Sequence, residues 1–142
     1  MVKELRNQVK NKAKQQVKNL NVSKKDIIIG LAASGNTPFT CKVLEESKKL
    51  KALTIGISNN KGDIQKIAKQ NITLLTGSEI VAGSTRLKAG TSQKITLNLI
   101  STMLMTKFGR VKNGLMVNMV ASNSKLKKRE VLIKKLLSLD RN

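Results

Sequence analysis

Over the first twenty positions, apolar residues recur at steps of three and four. Val2, Leu5, Val9, Ala13, Val17 and Leu20 fall on one stripe, with Lys, Gln, Asn and Arg around them. This spacing predicts a surface helix that docks one side on a core. At Asp26 the period changes. Ile27–Ala32 is apolar without alternation and β-branched at its start, which fits a strand covered on both faces by helices. Thr37-Pro38 then supplies a cap and a first-turn proline for a helix to about Lys49, burying Phe39, Val43 and Leu44. The unit repeats: a strand over 53–58, a turn at Asn59–Gly62, a short helix capped by Asp63 and a strand over 72–75. A polar loop from Thr76 to Gly90 leads into a helix from about Thr91 to Lys107, carrying Ile95, Leu97, Leu99, Ile100, Met103 and Leu104. Leu115–Val117 reads equally as a helical turn or an extended piece. Asn123 caps a last helix bearing Leu126, Leu132, Ile133, Leu136 and Leu137.

Alternating strands and helices specify an α/β fold with a parallel sheet. The expected organisation is an amphipathic helix over 1–22, a sheet domain over 23–107 and a helical tail over 108–142. Three strands make a small sheet, and residues 27–32 read as a central strand that needs neighbours on both sides. At an edge, its backbone donors and acceptors would be open to water or another chain. Something in front of this sequence is therefore expected to complete the sheet.

Composition narrows the chemistry. Among 142 residues there is no His, Trp or Tyr, one Cys, one Pro and two Phe. A His general base, a Ser-His or Cys-His nucleophile and an imidazole metal site are excluded. The single Cys41 excludes an intrachain disulfide and paired-thiolate zinc, and fits a reducing compartment. Carboxylate chemistry must draw on Glu4, Asp26, Glu45, Glu46, Asp63, Glu79, Glu130 and Asp140. Apolar runs fall far short of a membrane span, and the start of the chain lacks the apolar core of a secretory signal. The expectation is a cytoplasmic protein with no membrane partner. Lys and Arg outnumber Asp and Glu 28 to 8, a formal charge of +20. That balance invites a nucleic-acid partner. The cations are dispersed, however, and Phe39 and Phe108 are the only aromatic residues available for stacking, so the charge reads as a solvated surface.

In open α/β sheets, ligands bind beyond the carboxyl ends of the strands, at helix N-termini. Two loops occupy that position. Ala33–Thr37 follows a strand and precedes a helix. It either cradles a phosphate or carboxylate on backbone and hydroxyl donors, or is a polar turn that caps the helix. Gly77–Thr91 holds an acid, two cations, several hydroxyls and glycines, and a loop of this length without its own structure is usually functional.

With these residues in view, the sequence resembles the N-acetylmuramic acid 6-phosphate etherases of the SIS sugar isomerase superfamily, relatives of the glucokinase regulatory protein. Ile29–Pro38, IGLAASGNTP, is similar to that family's strand and phosphosugar loop, with Asn36 where the family usually has Arg. Gly77–Lys94, GSEIVAGSTRLKAGTSQK, resembles the family signature almost throughout, with Ser78 replacing Pro or Ala. The segments 97–102, 113–117 and 121–126 match as well.

The resemblance implies a three-layer α/β/α, flavodoxin-like SIS fold lacking its first two strands. It implies phosphosugar chemistry: cleavage of a lactyl ether to N-acetylglucosamine 6-phosphate and D-lactate, by elimination and then water addition, with two glutamates and no metal or redox cofactor. The first glutamate belongs to a front half that precedes this sequence. The second falls at Asn7, beside Gln8, where the family has an acidic pair, and an amide cannot take the proton α to a sugar carbonyl. No catalytic residue is therefore expected here. Ser34, Gly35, Asn36 and Thr37 are expected to hold phosphate and Glu79 to hydrogen-bond sugar hydroxyls. Ser84, Thr85, Arg86 and Lys88 complete the anion site, with Lys88 as the direct charge. The expected partners are an amino-sugar 6-phosphate and either a second copy of the chain or a separate front-half SIS chain.

Overall fold

The computed structural model describes residues 2–139, so Asp140 lies outside the described residues. The chain divides into two compact units, one ending at Ile95 and one beginning at Thr96.

The first unit contains α1 (Val2–Asn19), β1 (Ile27–Leu31), α2 (Pro38–Lys49), β2 (Leu53–Ser58), α3 (Asp63–Ile67), β3 (Gln70–Thr73) and the start of α4 (Lys88–Lys107). The strands form a parallel sheet in the order β1-β2-β3, flanked by helices, as the α/β reading requires. β2 is central and carries the buried residues Thr54, Gly56, Ile57 and Ser58. On one face, Ala32, Leu44, Ile64 and Ala68 form the core, with Ile28, Cys41 and Ile67 packed against it. Two glycines opposite each other in register, Gly30 and Gly56, let the helices approach. A Cβ on Gly30 would stand 2.7 Å from Leu44 Cδ1, and one on Gly56 would stand 2.9 Å from Ile64 Cγ1. Helices and sheet are thus closer than any residue with a side chain would permit.

Several expectations change in detail. β1 lies at an edge among the described strands, and Ile27 is 59% exposed. On α1 the apolar stripe is only partly used. Ala13 and Val17 are buried, while Leu5 and Val9, and Leu20 just past the helix, are exposed. The third strand runs over Gln70–Thr73 rather than 72–75. The Lys69 N–H donates to the backbone oxygen and the hydroxyl of Thr54, at 3.1 and 3.0 Å, and this anchors the parallel pairing earlier in the chain. Leu75 is left exposed.

On α2, Lys42 donates to Glu45 and Glu46 at 2.9 and 2.8 Å, and Lys49 reaches Glu46 at 2.9 Å. The hydrogen bonds from Lys42 and then Lys49 hold the Glu46 carboxyl at about 2. These i,i+3 and i,i+4 pairs neutralise one side of a helix in an otherwise cationic chain.

The second unit contains the remainder of α4, a hairpin of β4 (Val111–Lys112) and β5 (Leu115–Met116), and α5 (Ser124–Leu139). Leu115 and Met116 are therefore extended. Asn113 and Gly114 turn the hairpin with φ of 49° and 71°, the left-handed pair that a tight two-residue turn requires. Asn123 caps α5 as expected, its Oδ1 accepting from the Leu126 N–H at 2.9 Å. Leu99, Met103, Leu104 and Phe108 are exposed.

Candidate phosphosugar site

The Ala33–Thr37 loop is built on one glycine. Gly35 has φ of 74°, and a Cβ there would lie 2.9 Å from the Asn60 carbonyl oxygen, so both conformation and space demand glycine. Its N–H donates to Ala32 O at 2.8 Å and its carbonyl accepts from the Ile64 N–H at 2.9 Å. The Ser34 hydroxyl accepts from the Asn36 N–H at 3.2 Å, which leaves its own proton to donate outward. Thr37 precedes Pro38 and makes no side-chain bond to the first turn of α2. Pro38 has no N–H and the Cys41 N–H donates to Thr37 O at 3.0 Å, so the Phe39 and Thr40 N–H groups are the donors of that turn left without a capping side chain.

Asn36 is used inside the protein. Its Nδ2 donates to Ser34 O at 3.3 Å and its Oδ1 accepts from the Asp63 N–H at 2.8 Å. It joins the loop to the start of α3, and its N–H is already given to Ser34 Oγ.

The Gly77–Thr91 loop closes on the N-terminus of α4. Glu79 accepts from the Lys88 N–H and the Ala89 N–H, both at 2.9 Å, one on each carboxylate oxygen. The Ala89 bond and then the Lys88 bond hold its carboxyl below the usual carboxylate range. This is the charge sign that a helix N-terminus favours, and it explains why α4 begins at Lys88 rather than at Thr91. Lys88 Nζ donates to Ser78 O at 2.6 Å. Ser78, Glu79, Lys88 and Ala89 thus form one closed set of bonds. Ser84 is half-buried, while Thr85 and Arg86 are exposed at the tip of the loop.

The residue that joins the two loops is one the sequence reading passed over as part of a turn. Asn59, 6% exposed at the end of β2, donates its N–H to Ala33 O at 3.1 Å. Its Nδ2 donates to Leu74 O, Thr76 Oγ1 and Ser92 Oγ at 3.2, 3.2 and 2.9 Å. Its Oδ1 accepts from Gln93 Nε2 at 2.8 Å. One residue therefore holds the first loop through its main-chain N–H, and the exit of β3 and the first turn of α4 through its side chain. The available signal was its place at the carboxyl end of a buried strand, where ligand loops start. Asn60 adds a bond from Nδ2 to Ala33 O at 3.1 Å.

Chemically, the two loops offer mostly donors, in backbone N–H groups, hydroxyls and cations, with their one carboxylate, Glu79, already accepting from the start of α4. That set suits an anion with several acceptor oxygens. Among the described residues there is no cluster of His, Cys, Asp and Glu able to hold a metal, and no helix long and apolar enough to cross a membrane.

The chain is 47% identical over 120 residues to proteins named N-acetylmuramic acid 6-phosphate etherase from Escherichia coli strain K12 / DH10B, Escherichia coli O1:K1 / APEC and Shigella boydii serotype 18. The match covers 84% of this chain and 40% of each relative, so the chain spans less than half the length of the curated relatives it matches. The sequence profile of the SIS domain matches residues 6–105, which include both loops and every element of the sheet. By that match over most of its length, and by the parallel sheet and loops that carry it, this chain belongs to the SIS domain family.

Proposed function

We propose that this chain is the phosphosugar-binding part of an N-acetylmuramic acid 6-phosphate etherase system, binding the amino-sugar 6-phosphate without cleaving it alone. The observation that carries the reading is the uncapped first turn of α2 beside the left-handed Gly35, within a stretch similar to the named etherases. Phosphate sits on the Ser34–Thr37 backbone and hydroxyls. Arg86 and Lys88 supply charge from the second loop, Lys88 by exchanging Ser78 O for a phosphate oxygen. Glu79 positions the α4 N–H groups and Lys88, and its sugar contact is secondary to that role.

Inactivity alone follows from where the acids are. Asn7 and Gln8 stand where the resemblance places the acidic pair. Glu45 and Glu46 are paired with Lys42 and Lys49, Glu130 with Lys134, and Glu79 with the start of α4. On this reading, catalysis draws on carboxylates from elsewhere in a larger assembly. The free edge of β1 is where further strands pair, from a front-half SIS segment or from a second copy of the chain. The amides at 7 and 8 also favour a second reading, a regulatory sugar-phosphate binder with no etherase step.

Calorimetric titration with N-acetylglucosamine 6-phosphate tests the binding claim. Binding is expected, with affinity reduced about tenfold by Lys88→Ala, the loss of one charge-assisted hydrogen bond. A folded chain that does not bind would overturn the reading, as would binding of DNA that survives changes in both loops. Adding a front-half chain that carries its own glutamate separates the two readings. Lactate release from N-acetylmuramic acid 6-phosphate supports the etherase, and binding without release supports the regulator.

A further inference from the structure

The second half of α4 has no polar face. No residue from Thr96 to Thr106 is charged. Met103, Leu104 and Met105 follow one another about 100° apart round the helix, and all three are exposed, as is Phe108 at 68%. A helix that is apolar on every side is ordinarily buried. Between its end and the β4–β5 hairpin lies a groove of about 770 Å3 whose apolar wall is Met105, Phe108, Val111, Met116, Val117 and Met119. Four of the five methionines of the chain fall within 103–119, and three of them are in this wall. Methionine is unbranched and polarisable, so such a wall re-packs around the side chains it meets. The SIS profile ends at residue 105, so most of the groove lies past the module that holds the two loops.

Charge indicates what covers it. Arg110 stands in the wall, and Lys107 and Lys112 are exposed next to Phe108 and Val111 in the chain. None of the three has an ion pair among the described residues. Over residues 96–142, ten Lys and Arg stand against two acids, Glu130 and Asp140, and Glu130 is paired with Lys134. Two copies laid groove to groove would set these cations against each other. A small apolar molecule would fill the groove and leave Met103 and Leu104 bare. We propose that the groove docks an amphipathic helix of another polypeptide, its apolar face on the methionines and Phe108 and its acidic flanks on Lys107, Arg110 and Lys112. This surface is independent of the sugar-phosphate reading.

The test titrates the full chain, followed by NMR of its methionine methyls, with three synthetic peptides. One is a helix with leucine at i, i+3, i+4 and i+7 and glutamate on its other face. The second carries lysine in place of glutamate, and the third scrambles the first so that the stripe is lost. The acidic helix should bind saturably, shift the Met105, Met116 and Met119 methyls most, and bind at least about tenfold tighter than either other peptide. Met105→Glu and Phe108→Glu should each weaken it about tenfold. Val131→Glu, the same charge change at an exposed position outside the groove, should leave it unchanged. Circular dichroism checks that each variant keeps its helices. Should a groove variant lose them, Arg110→Gln, which spares the apolar wall, takes its place and should weaken binding severalfold. Equal binding of the scrambled peptide would reduce the effect to charge attraction, and equal binding of the lysine helix would remove the acidic partner. Either overturns the proposal, as does undiminished binding by the variants. A dimer in sedimentation that Phe108→Glu dissociates would overturn it too, since a second copy would then cover the groove.

Discussion

Asn59→Leu should destabilise the protein by about 3 kcal/mol and weaken sugar-phosphate binding through the second loop, the main-chain bond to Ala33 being kept. The leucine is close in volume, so the cost is not a cavity. It comes from the partners left behind: Leu74 O, Thr76 Oγ1 and Ser92 Oγ lose a donor, and Gln93 Nε2 loses its acceptor. Asn59 is 6% exposed, so water cannot replace these bonds without entering the end of the sheet. Asn59→Asp keeps the acceptor for Gln93 and loses the donations, and should fall between leucine and the unmodified chain. Urea unfolding read by circular dichroism gives both values. A Leu variant within about 1 kcal/mol of the unmodified chain would show that the side-chain amide does not hold the exit of β3 to the start of α4.

Gly56→Val is the second large effect, again about 3 kcal/mol, through overpacking. The new Cβ would meet Ile64 Cγ1 at 2.9 Å, Asn71 Oδ1 at 3.0 Å and Ala68 Cβ at 3.1 Å, and neither Ile64 nor Ala68 can swing aside without moving the chain that carries it. Displacing α3 also pulls the Asp63 and Ile64 N–H groups from Asn36 and Gly35, so ligand affinity should fall along with stability. Valine favours strands, so a propensity argument alone predicts the opposite sign. A Gly56→Val chain as stable as the parent would mean that the helix–sheet spacing is looser than the geometry requires. Thermal melts of the two proteins decide it.

The strands were legible because β-branched runs such as Ile27–Ile29 and Leu53–Ile57 have no helical period and sit between turn residues. Both candidate loops were legible from Gly, Ser and Thr at strand ends. What the sequence hid was partnership over distance. Glu79 reads as a free acid in a polar loop, yet it binds two N–H groups nine and ten positions further on. Asn36 reads as a ligand donor, yet it ties its loop to α3. Asn59 reads as a turn residue, and only the parallel pairing of β2 with β3 brings it beside Thr76 and Ser92. Apolar periodicity likewise shows which face of α1 could be buried, not that Ala13 and Val17 are buried while Leu5 and Val9 remain exposed.

The central claim is that the Ala33–Thr37 loop binds the phosphate of an amino sugar, and amide-resolved NMR during titration with N-acetylglucosamine 6-phosphate tests it most directly. Saturable shifts are expected at the N–H groups of Ser34, Gly35, Asn36 and Thr37 and in the first turn of α2, with smaller ones at Lys88 and Ala89. Shifts confined to the lysine-rich surfaces of α1 and α5, or none at millimolar ligand, would contradict the account.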